Sequence, residues 1–142
     1  MSKINIGRVI AGGVLAGIII NAFEYVLNGI VMASEWTSIM KSLNRPDISS
    51  QSIIWFNVIG FVIGIAAVWT YAAIRPRFGA GPRTAVIAAL LTWLTAYALA
   101  DAAPVAAGMF PLHPIVLMLA VQIVEIIVAT MAGAWLYKET TD

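Results

Sequence analysis

The chain of 142 residues contains no cysteine. This excludes disulfides, CxxC redox chemistry and thiolate metal sites together. It holds a single histidine, His113, so no zinc site built from several imidazoles can form within one chain. Charged residues make up only 11% of it, and no basic cluster alternates with aromatics, so nothing points to nucleic acid. Nucleophilic catalysis lacks a constellation as well. Ser34, Ser49, Ser50 and Ser52 fall in one connection with no partnered histidine. No catalytic residue is assigned, no cofactor is expected, and whether a metal binds is left open.

What remains is apolar. Hydrophobic residues form 61% of the sequence and the mean hydropathy is +0.93, outside the soluble globular range. Apolar runs at about 9–32, 53–74, 84–103 and 115–136 each approach or exceed the ~20 residues of a spanning helix. The first is too long for the apolar region of a signal peptide and is expected to be a retained span. The fold class expected is therefore all-α. One membrane domain covers residues 1–142 as an antiparallel bundle of four transmembrane helices.

The basic residues orient this bundle. Lys3, Arg8, Arg75, Arg77, Arg83 and Lys138 fall on one side, Lys41 and Arg45 on the other, so both termini are expected in the cytoplasm. The stretches AGGVLAGIIINAFEYVLNG and AAIRPRFGAGPRTA resemble those of small bacterial inner-membrane proteins, and that resemblance implies the same location. Trp69, Tyr71, Trp135 and Tyr137 would form the inner aromatic belt, with Trp36 and Trp55 in the outer one. The longest connection is not featureless. Trp36, Ile39, Met40 and Leu43 recur at i, i+3, i+4 and i+7, predicting a short amphipathic helix over about 35–44. Ser34 would cap it and Pro46 would stop it. An anchor lying in the outer interface is preferred over a lid.

Polar residues inside the spans carry the functional expectation. Glu24 and Glu125 each sit in the middle of an apolar run with no basic neighbour in sequence. A carboxylate at such depth is protonated, paired, or holding a cation. At 100° per residue, Gly13, Gly17, Asn21, Glu24 and Asn28 share one arc of the first span. Asn57, Gly60, Gly64, Ala67 and Tyr71 share a face of the second, and Gln122, Glu125, Ala129, Ala132 and Gly133 a face of the fourth. Small and polar stripes of this kind face other helices. In the third span the small stripe, Ala85, Ala89, Thr92, Ala96, Ala100 and Ala103, lies nearly opposite Asp101. Asp101 and His113 are therefore peripheral candidates only.

Helices one and four run oppositely, which sets Glu24 and Glu125 at nearly one depth in the outer half of the bundle. The same half holds Asn28, Asn57 and Gln122. Asn21-x-x-Glu24 and Gln122-x-x-Glu125 each place an amide on the carboxylate's own helix face. The leading functional expectation is a proton or cation site made by Glu24 and Glu125, oriented by Asn21, Asn28, Asn57 and Gln122, and coupled to transport of a small solute. The alternative is a non-catalytic accessory subunit whose buried polar residues only specify packing. A membrane enzyme acting on a lipid or quinone ranks third. Expected partners are the lipid bilayer and either further copies of the chain or a larger membrane complex.

Overall fold

The computed structural model describes residues 3–139, and among these the chain is helical, with no β-strand. Helix α1 (Ile6–Val26) runs into a single π-helical turn, Leu27–Val31, and α2 (Ala33–Ser42) follows. Helix α3 covers Ser50–Phe78. Helix α4 (Pro82–Trp93) passes through a second π-helical turn, Leu94–Ala98, into α5 (Leu99–Ala106), and α6 covers Leu112–Leu136. Four continuous helical stretches, Ile6–Val31, Ser50–Phe78, Pro82–Ala106 and Leu112–Leu136, are long and apolar enough to cross a membrane.

Local chemistry sets the ends of these elements. The Asn5 side chain caps α1 by accepting from the Arg8 amide, and Ser49 caps α3 by accepting from Ser52. The α3–α4 turn needs Gly79 (φ 88°) and Gly81 (φ 129°), backbone angles that a Cβ disfavours, and Pro82 then starts α4. Helix α2 departs from expectation. It begins at Ala33 rather than after Ser34, because the π turn feeds it directly: Met32 N–H donates to the Leu27 carbonyl at 2.8 Å and Trp36 N–H to the Met32 carbonyl at 3.0 Å. It ends at Ser42, ahead of Pro46, with Asn44 in the left-handed region.

One end of the bundle gathers the start of α1, the end of α3 and the end of α6. The Tyr137 hydroxyl accepts from the Asn5 amide at 3.4 Å, and the Arg75 guanidinium lies 5.5 Å from the Tyr137 ring centre. Arg75 also pairs with Glu139 at 3.8 Å. Tyr71 meets Tyr137 edge-on at 6.0 Å, and both are buried, so these two tyrosines are core residues rather than belt residues. Trp69 and Trp135 are exposed.

Between this basic end and the bundle's middle the helices touch through glycine. A Cβ on Gly12 would strike the Gly133 carbonyl of α6. One on Gly64 would lie 2.6 Å from the Gly13 carbonyl of α1. Packing this close lets backbone and short side chains fill the interior, and Val9, Ala16, Ala67, Val68, Ala88, Ala89 and Ala129 are almost wholly buried there. The far end differs. No residue from Ser50 to Ile59 of α3 is buried, so the start of this helix stands outside the bundle.

Helix α2 folds back over that far end. Ile39 is buried and Trp36, Met40 and Leu43 are half-buried, so its apolar face is turned onto protein. Trp36 meets Phe110 edge-on at 5.8 Å and packs against a second small core of Leu27, Met32, Ile115 and Met118. Helix α2 thus caps this end of the bundle, packed on protein through its apolar face.

Candidate functional site

The two π turns lie where the polar side chains converge. A π turn places one extra residue in the helix, which rotates everything after it by about 100°. In the third span this turns Tyr97 into the interior, where it is buried, and swings Ala100 and Ala103 out to the surface. Asp101, placed opposite the buried stripe by straight helical periodicity, becomes half-buried.

A chain of hydrogen bonds results. Trp36 Nε1 donates to Asn28 Oδ1 at 2.8 Å, and Asn28 Nδ2 donates to Glu24 Oε2. From α6, Gln122 Nε2 donates to Glu24 Oε1 at 2.8 Å. Glu125, three residues after Gln122 on the same face of α6, brings the second carboxyl group to the cluster. On the far side, the Tyr97 hydroxyl donates to Glu125 Oε1 at 3.0 Å. Spans one, three and four and helix α2 are thus tied through two carboxyl groups.

The donor inventory of this cluster is short. An ionised carboxylate only accepts, so either carboxyl group can donate here only if it carries a proton. Lys, Arg and His supply no bond to the pair. Glu125 is 0% exposed, and its Oε2 and the Gln122 Oε1 are buried without a donor from the protein. Acceptors therefore exceed donors. Among the described residues no group of three or more His, Cys, Asp or Glu side chains is placed to hold a metal ion. Glu24 is half-buried, the more accessible of the two carboxyl groups.

The sequence-derived candidates divide accordingly. The structure brings Glu24, Asn28, Gln122 and Glu125 into one cluster. Asn21 is not in it: its Nδ2 donates at 3.1 Å to the Asn57 carbonyl, and its side chain fills the space above Gly60. Asn57 is exposed and donates at 2.7 Å to the Ile53 carbonyl of its own helix, since Asn21 of α1 meets its backbone rather than its side chain. His113 is exposed in the first turn of α6. The expected pairing of each amide with the carboxylate three residues on is also replaced. Gln122 reaches across to Glu24, and Glu24 takes its own-helix partner from Asn28, four residues later.

Two members were missed by sequence reasoning, Tyr97 and Trp36. For Tyr97 the available signal was chemical rather than periodic, since a phenol inside a span needs a partner for its O–H. For Trp36 the signal was the indole N–H on the buried side of an amphipathic helix. No family model matches this chain, and no curated protein or solved structure matches it.

Proposed function

We propose that the chain is an antiparallel four-span membrane protein in which Glu24 and Glu125 bind and release a proton coupled to movement of a small solute. The observation that carries this reading is an acceptor-rich cluster of one buried and one half-buried carboxyl group with no basic partner. Burying two negative charges in low dielectric is prohibitive, whereas one shared proton both removes a charge and supplies the missing donor. The basic residues at the end away from α2 support a cytoplasmic placement of both termini. The site then lies toward the outer face of a bacterial inner membrane, under a lid formed by α2. Glu24 is the entry point, Glu125 the enclosed store, and Asn28, Gln122 and Tyr97 hold the pair in register.

Melting temperature in detergent tests this from about pH 5 to 9, for wild type beside Glu24→Gln/Glu125→Gln, with and without Na⁺, Mg²⁺, Mn²⁺ and Zn²⁺. A steep pH dependence lost in the double variant is the expected result. Stabilisation by one cation, lost in the same variant, would replace the proton with that cation. Flat and superimposable profiles would remove the ionisable site.

A second reading is favoured by one observation. Asn57 is a polar side chain exposed on a stretch of α3, residues 50–59, that holds no buried residue. An accessory subunit, or a homo-oligomer, would cover it, because a polar side chain facing lipid gains from a neighbouring helix.

A further inference from the structure

Asp101 has a setting of its own. It lines a groove of about 260 Å³ between α5 and α6, with Ala98, Ala102, Val105, Ile115 and Leu119 among its walls, and it is the one polar side chain there. No basic side chain pairs with it, the ion pair among the described residues being Arg75–Glu139 at the opposite end of the bundle. The alanines among the walls lie on Asp101's own helical stretch and leave the room that larger side chains would occupy, while α6 faces it with Ile115 and Leu119. Pro104, one turn further on, has no N–H to give the Ala100 carbonyl, so a second acceptor next to Asp101 lacks its helical donor.

A carboxylate in an apolar groove, with acceptors beside it and no cation of the protein to meet it, is complementary to one class of ligand. We propose that this groove binds an organic cation with an apolar body, the charged head against Asp101 and the body along the α5–α6 walls. Charge complementarity selects this occupant over a neutral lipid chain. A chain would fill the walls equally well but leave the carboxylate unpaired, and an opposite charge at short range in low dielectric is the stronger attraction. Identifying this ligand as the solute moved with the proton rests on the reading of the Glu24–Glu125 pair. Its binding to the groove does not.

The experiment uses benzyltrimethylammonium as the cationic probe and neopentylbenzene, in which carbon replaces the charged nitrogen, as its neutral isostere. Binding to the purified full chain in detergent is measured by titration calorimetry. Wild type is expected to bind the cation and to bind the neutral isostere at least about tenfold more weakly. Asp101→Asn should lose the cation by at least about tenfold without changing the isostere, while Asp101→Glu should retain it. Ala102→Leu, a change at an exposed wall position, should weaken both probes by filling the groove. That variant keeps the test decisive if Asp101→Asn does not fold.

Equal binding of the two probes by wild type, or cation binding unchanged in Asp101→Asn, would overturn the proposal. So would cation binding unchanged in Ala102→Leu. Glu24→Gln/Glu125→Gln is run alongside. Cation binding that survives in it, beside loss in Asp101→Asn, supports the groove as a site separate from the glutamates, whatever that variant does to proton binding.

Discussion

The two ends of this bundle solve helix packing in opposite ways. Toward the basic end, backbone meets backbone: Gly12 lies against Gly133, and Gly13 and Gly17 lie against Gly64, with alanines filling the rest. The helices there are regular. Toward the α2 end, side chains of Trp36, Asn28, Glu24, Gln122, Glu125 and Tyr97 hold the helices through hydrogen bonds, and two helices open into π turns to make room. Small residues give close approach and dispersion with no polar obligation. A polar cluster gives specificity and leaves acceptors that must be met by something mobile. The difference teaches that packing is divided along the bundle axis, close backbone contact holding one half and polar side chains the other.

Substitutions at the two ends should separate in the same way. The largest effect is expected at Gly133→Leu, whose new side chain would strike the Gly12 backbone carbonyl, a group that cannot move aside. A loss of more than about 3 kcal/mol in detergent unfolding is expected, and a fully stable variant would break the comparison. Tyr97→Phe removes one hydroxyl donor and leaves Glu125 with one acceptor more to satisfy. Roughly 1 kcal/mol of stability should go, together with an altered pH profile of melting, which a purely structural hydroxyl would leave unmoved.

Trp36→Phe keeps the ring against Phe110 and removes only the N–H to Asn28. About 0.6 kcal/mol is expected, with faster hydrogen exchange in α2 as the readout that the lid has loosened. Asn57→Leu should change stability by less than about 0.5 kcal/mol in either direction. Its amide bonds only its own helix, so a large loss in dilute detergent would place Asn57 back among the residues that hold the chain together.

Much of this was legible in the residues. Hydropathy marked the four long helices, and 100° periodicity aligned Glu24 with Asn28 and Gln122 with Glu125. It also put Gly60, Gly64, Ala67 and Tyr71 on a buried face. It failed at Asn57, Tyr97 and Asp101. For Asn57 the face is right, but Asn21 of α1 takes its backbone carbonyl and leaves its side chain exposed. For Tyr97 and Asp101 the phase itself changed, because the π turn at Leu94–Ala98 inserts a residue that no composition rule announces. The same straight extrapolation sent Ala100 and Ala103 inward, where the structure has them exposed.

The sequence by itself determined that the chain forms four long apolar helices, which end of them is basic, and that two carboxyl groups lie within them without basic neighbours in sequence. Each follows from local hydropathy and charge, which depend on no long-range contact. Only the tertiary structure decided that the two carboxyl groups come into one cluster and that Tyr97 and Trp36 complete its network. It also decided that Asn21 and Asn57 stand apart and that α2 closes over the end. Those outcomes depend on where helices cross and where a helix admits an extra residue. That balance is struck between chain segments about a hundred residues apart, as in the Gln122–Glu24 bond, and no single segment encodes it.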